Sequence, residues 1–193
     1  MTTSIKIAAA ILAGGKAKRL GGIEKGNISL GNETIISRLI KELEQTGLIN
    51  EIVIISNNPK NYTRYSKPII KDLRLDMGPL SGVETALTHY QDRYDAVLFL
   101  PCDLPSITAT EVEKLYQAFL QYPSLVFAET PTHQHPLCCI IAGQLRAKIS
   151  TALDQGYRKI TQVWNNLENH RVFFTDEQKF LNVNSRIPLQ EII

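Results

Sequence analysis

The stretch Ile5–Lys25, IKIAAAILAGGKAKRLGGIEK, decides how this 193-residue chain is read. Its first part, Ile5–Leu12, is a nearly continuous apolar run that stops at Gly14-Gly15. A run without period-two alternation suits a strand covered on both faces, and the glycines behind it turn the chain into a loop. Shorter runs of the same kind recur at Ile52–Ile55, Ile69–Ile70 and Ala96–Leu100, followed by strands expected at Leu125–Ala128, Leu137–Ala142 and Val172–Phe174. Between them lie helical spacings. Ile35, Ile36, Leu39, Ile40 and Leu43 form one face, and Leu80, Val83, Leu87 and Tyr90 a second. Thr108 and Glu111 have capping-box spacing ahead of Val112, Leu115 and Phe119, and further helices are expected at Leu145–Leu153 and Ile160–Leu167. Strands alternating with helices imply an α/β fold, a mostly parallel sheet with helices on both faces.

Bulk properties narrow the function. The chain is 44% hydrophobic with a formal net charge of +2, enough apolar material for one substantial core and no global field for nucleic acid or an anionic membrane. One domain, 1–193, is expected. No apolar run reaches the length of a membrane span, and Met1–Leu12 lacks a charged leader and a cleavage pattern, so a cytoplasmic protein is expected. Cys102, Cys138 and Cys139 are an odd number without CxxC spacing, which reads as reduced, buried thiols.

In an open parallel sheet, ligands sit beyond the carboxyl ends of the strands. After the first strand, the segment from Lys16 to Lys25 carries four basic residues and one acidic one, about +3 where the whole chain carries +2. Glycines let main-chain N–H groups surround phosphate oxygens while lysine and arginine neutralise charge on a leaving pyrophosphate, so a triphosphate is the natural partner. The spacing fits neither a Walker A loop nor a dinucleotide fingerprint. A solvated turn is the bland alternative.

Other strand ends are also polar. Ala96–Leu100 leads into Pro101-Cys102-Asp103-Leu104-Pro105, a carboxylate between two prolines that either holds magnesium or caps the turn. Asp72 follows the Pro68–Lys71 run, and Ser56-Asn57-Asn58 follows the second strand with groups able to bond base edges or form Asx turns. Gly78-Pro79-Leu80-Ser81-Gly82 opens the second helix, where Gly82 admits either a ligand or tight packing on the sheet. His133 and His135 are a weak ligand pair, read as a polar turn. Arg158 and Lys159 add charge at a helix entry.

Taken together, LAGGKAKRLGG followed by Glu24-Lys25, with PCDLP, GPLSG and FLNVN, resembles the molybdenum cofactor guanylyltransferases of the nucleotidyltransferase superfamily. That family usually has Asp where this chain has Glu24, and its FxNxN string usually continues Thr-Pro-Glu where this chain has Ser185-Arg186-Ile187. The resemblance implies a three-layer, Rossmann-like nucleotidyltransferase fold, with a nucleotide-binding half over about 1–105 and an acceptor half over about 106–193. It implies GTP contacts from Leu12, Ala13, Gly14, Gly15, Arg19, Lys25, Ser56, Asn58, Asp72, Gly82, Asp103, Asn182 and Asn184. Lys25 and Asp103 would be catalytic, and Asp103 would hold Mg2+. His135-Pro136 would serve the acceptor side or the scaffold, and Arg158-Lys159 the pterin phosphate.

The implied reaction is in-line attack by the terminal phosphate of molybdopterin on the α phosphorus of GTP. Because that nucleophile is already anionic, no Ser, Cys or His base is needed. A monomer in transient contact with other cofactor-biosynthesis proteins is expected. The alternatives are a CTP-dependent or sugar-phosphate nucleotidyltransferase, and a non-catalytic GTP-binding regulator.

Overall fold

The computed structural model describes residues 5–14 and 24–183. Among these residues, seven strands form one sheet in the order β5-β4-β1-β6-β8-β7-β9. They are β1 (Ile7–Leu12), β4 (Ile49–Ile55), β5 (Ile69–Ile70), β6 (Ala96–Pro101), β7 (Leu125–Glu129), β8 (Gln134–Ala142) and β9 (His170–Phe173). All run parallel except β8. A turn in which Thr130 N–H donates to the His133 carbonyl joins β7 to β8. Four residues cannot make a parallel crossover, so β8 must return antiparallel. The remaining strands, β2 (Ser29–Leu30) and β3 (Glu33–Thr34), form a small hairpin around Gly31 at φ +62°, an element not foreseen from sequence.

Each face of the sheet carries its own core. Along β1 and the residue that follows it, Ile7, Ala9, Ile11 and Ala13 face the side covered by α1 (Ile35–Gln45) and α3 (Ala109–Gln121).

 The side chains of Ala8, Ala10 and Leu12 point the other way, toward α2 (Pro79–His89), α4 (Arg146–Asp154) and α5 (Ile160–Trp164). Every residue of β1 is buried, as a central strand between two helical layers requires. Three layers result, matching the fold expected from the alternation of strands and helices.

Local chemistry sets the helix ends. The hydroxyl of Thr34 accepts from Ser37 N–H at 3.2 Å to cap α1. Thr108 and Glu111 form the expected capping box on α3, with Thr108 N–H donating to the Glu111 carboxylate at 2.9 Å. Gly78 stands before α2 at φ +70° and ψ −167°, a conformation that only glycine adopts without strain, and Pro79 starts the helix behind it. The fifth helix is shorter than expected, ending at Trp164 before a turn that carries the chain to Leu167.

One expectation is corrected. His135 and Pro136 lie within β8 rather than in a turn. The register jumps from Phe127 opposite Cys139 to Ala128 opposite His135, so Pro136, Leu137 and Cys138 form a bulge where a proline costs no ladder bond. No helix among the described residues is long and apolar enough to cross a membrane.

Candidate active site

The carboxyl ends of β1, β4, β5 and β6 lie side by side, and the loops that follow them carry the polar residues singled out above. At the centre, Lys25 Nζ donates to Asp103 Oδ2 at 2.8 Å, although the two residues are 78 positions apart in sequence. Their side chains are 34% and 17% exposed, so the pair is neither sealed in the core nor fully solvated. The loop of Asp103 is held on both sides: Cys102 N–H donates to the Leu12 carbonyl at 3.1 Å, and Val183 N–H to the Asp103 carbonyl at 2.9 Å. Asn182 is thereby carried beside the Asp103 loop, and it is exposed.

Lys25 begins a short 3-10 turn, Lys25–Asn27, that sits close to the core. A Cβ placed on Gly26 would lie 2.6 Å from Ile36 Cδ1 and 3.2 Å from Cys102 Cβ, so glycine lets the turn press against α1 and the Asp103 loop together. Burial, and next the Asp103 carboxylate, push the Cys102 thiol up to about 12. Its N–H bond from Gly26 and the charge of Lys25 act in the other direction.

Next to this pair, the two asparagines after β4 are already engaged. Asn57 Nδ2 donates to Asp72 Oδ2 at 2.8 Å, while Asp72 N–H donates back to Asn57 Oδ1 at 3.1 Å. Burial raises the pKa of the Asp72 carboxyl from its ordinary value, and the Asn57 bond opposes that shift. Asn58 Nδ2 donates to Glu24 Oε1 at 2.7 Å. Ser56 is buried, and its hydroxyl accepts from Asn58 N–H at 3.1 Å. The string 56–58 thus shapes its own turn and orients Glu24 and Asp72, and Ser56 presents no open surface to a ligand.

At the end of β1, Ala13 N–H donates to the Ile55 carbonyl at 2.9 Å, and the Ala13 carbonyl accepts from the Tyr62 hydroxyl at 3.3 Å. Leu12 and Ala13 are buried in these bonds, whereas Gly14 is exposed, with no atom of the described residues within 4 Å of where a side chain would begin. Of the first three expected contacts, Gly14 is the one with open space among the described residues. Gly15, Arg19 and Asn184 lie outside the described residues. Gly82 is buried, and a Cβ on it would approach Leu12 Cδ2 at 3.0 Å and Asp72 Oδ1 at 3.4 Å. It serves the close packing of α2 on the sheet.

The loop after β5 is fastened from behind. Arg74 forms a two-pronged contact with Glu84, at 2.9 Å from Nε and 2.8 Å from Nη2, and also reaches Asp154 and Ser150 on α4. Ser81 Oγ donates to the Arg74 carbonyl at 2.7 Å and accepts from its N–H at 3.2 Å. These bonds join the Asp72 loop to α2 and α4. Nothing in the linear pattern marked Arg74 or Glu84, because neither stands at a strand end or in a recognised string.

On the other side of Asp103, His135 Nε2 lies 3.1 Å from Thr130 Oγ1 and its ring leans on Phe180. Burial and then the neighbouring His133 lower its pKa. Arg158 donates to the carbonyls of Leu153 and Tyr157, where it closes the end of α4. Lys159 is exposed directly before α5.

Comparison with known proteins identifies the family and the fold. Residues 9–172 match the family model described as a MobA-like NTP transferase domain. The chain is similar to the molybdenum cofactor guanylyltransferase of Haemophilus influenzae, at 34% identity over 98% of this chain and 99% of that protein. It is also similar to that of Mannheimia succiniciproducens, at 34% identity over 94% and 96%. Among solved structures, molybdopterin-guanine dinucleotide biosynthesis protein A from Archaeoglobus fulgidus superposes with a TM-score of 0.75 at 22% identity, over 96% of each chain. A putative protein from Aquifex aeolicus gives 0.77 at 20% identity over the same shares, and both share the α/β fold. With the family model covering the sheet from β1 to β9 and relatives aligned end to end, the chain belongs to the MobA-like NTP transferase family.

Proposed function

We propose that this chain transfers GMP from GTP to the terminal phosphate of molybdopterin, releasing pyrophosphate and forming molybdopterin guanine dinucleotide. The observation that carries the reading is the 2.8 Å contact between Lys25 and Asp103 at the strand-end rim. A cation and a carboxylate held in one place by separate elements form a preset charge pattern for a phosphate-rich substrate. The relatives named molybdenum cofactor guanylyltransferase supply the nucleobase and the acceptor.

In this reading Lys25 turns from Asp103 toward the departing pyrophosphate, with Lys16, Lys18 and Arg19 neutralising the remaining phosphate charge. Gly14 admits the nucleoside at its open face, and Asp72, set by Asn57, lies toward the nucleotide. Asp103 would hold Mg2+. Its partly exposed carboxylate suits an ion that takes one or two carboxylates and completes its shell with water and phosphate oxygens. When bound, magnesium would offset negative charge on the phosphates. The acceptor would enter over the half of the sheet formed by β8, β7 and β9, and the enzyme would act as a cytoplasmic monomer.

A pyrophosphate-release assay with each of the four nucleoside triphosphates, with and without molybdopterin, tests the proposal. Release with GTP that depends on molybdopterin is expected. Equal release with CTP, or GTP binding without turnover on any acceptor, would instead favour the sister nucleotidyltransferase or the regulator.

A further inference from the structure

The Lys25 turn is tied at both flanks to one segment, Asn58–Tyr65. On the leading side, Glu24 Oε1 accepts from Asn58 Nδ2 at 2.7 Å and from Asn61 Nδ2 at 3.5 Å. On the trailing side, Asn27 Oδ1 accepts from Arg64 Nη2 at 2.8 Å and from the Tyr65 hydroxyl at 2.6 Å. Asn27 Nδ2 in turn donates to the Asn61 carbonyl at 3.0 Å. The segment is itself anchored. Tyr62 is fully buried, with its hydroxyl on the Ala13 carbonyl at 3.3 Å, and the Tyr65 hydroxyl lies 2.9 Å from the Thr34 hydroxyl that caps α1.

We propose that Asn58–Tyr65 is a positioning clamp for Lys25, with Asn27 as its central residue, so that the ammonium stands at Asp103 before any triphosphate arrives. The inference rests on the reading of Lys25 given above. An amide that accepts two bonds and donates a third holds the turn in one orientation, and short range positioning of this kind decides whether a charged group meets its target. Neither Asn27 nor Tyr65 touches Asp103; both act through the turn.

The test compares pyrophosphate release by Asn27→Ala, Lys25→Ala and the double variant, each with a thermal melt. Asn27→Ala should lower kcat by about 10- to 100-fold. The double variant should be no slower than Lys25→Ala alone, because the clamp acts only through that lysine. A role in general stability would instead slow the Lys25→Ala background by the same factor. Normal turnover of Asn27→Ala, or losses that multiply in the double variant, overturns the clamp while Lys25 keeps its role. Wild-type turnover by Lys25→Ala overturns the lysine and the clamp together. If Asn27→Ala gives no cooperative melt, Tyr65→Phe, which removes one hydroxyl, carries the same comparison with a smaller loss expected.

Discussion

Replacing Gly26 with alanine probes the site through packing alone, without touching a charged group. The new Cβ would stand 2.6 Å from Ile36 Cδ1, 2.7 Å from Ile36 Cγ1 and 3.2 Å from Cys102 Cβ. Ordinary contact begins at 3.4 Å, so relief calls for a shift of about 0.8 Å. Ile36 is fully buried in α1, and a β-branched side chain in a helix keeps one dominant χ1 rotamer, so its Cγ1 cannot swing aside. The turn must move instead, and it carries Lys25 off its 2.8 Å contact with Asp103. Overpacking of this kind costs about 1–3 kcal/mol, which for a chain of this size lowers the melting temperature by roughly 2–12 °C. A misplacement near 1 Å slows chemistry by about 100-fold. Pyrophosphate release with GTP and molybdopterin, alongside calorimetry, reads both quantities. An alanine variant with unchanged melting and turnover within two-fold of the parent refutes the reasoning.

Other outcomes follow from the electrostatics. Because burial raises the folded pKa of Asp72, the native state binds the extra proton between the unfolded and folded values; stability is fully present below the unfolded value and lost as pH rises through the folded one. Asp72→Asn should therefore gain stability over the parent as pH rises above the ordinary carboxylate value, and a pH-independent difference in melts contradicts this. The three cysteines are buried, and at pH 8 a thiol at about 12 is ionised only about once in 10,000 molecules, so native protein should resist alkylation until denaturant exposes all three. Rapid native labelling of Cys102, followed by mass spectrometry, counts against its placement.

Much of this architecture was legible in the residues. Ile5–Leu12 and Ala96–Leu100 read as central strands because both faces are covered, and the strand-end rule led from them to Lys25 and Asp103. The reversal of β8 was not legible, since it depends on a turn too short for a crossover and on the three-residue bulge at Pro136–Cys138. The hairpin of β2 and β3 escaped because two-residue strands carry no period. Within the site, strings showed which residue types were present but not which bonds they make. The string Ser56-Asn57-Asn58 read equally as groups for a base edge and as an Asx turn, and the amides of Asn57 and Asn58 hold Asp72 and Glu24. Asn27 gave no signal at all, because its partners Arg64 and Tyr65 lie 37 and 38 positions away.

Substituting Asp103 with asparagine tests the central claim most directly, because the change keeps the shape and an acceptor for Lys25 while removing the negative charge. With saturating magnesium, GTP and molybdopterin, pyrophosphate release should fall by about 1,000-fold while the melting transition persists. Turnover within ten-fold of the parent would contradict the claim that this carboxylate and Lys25 act on the same phosphates.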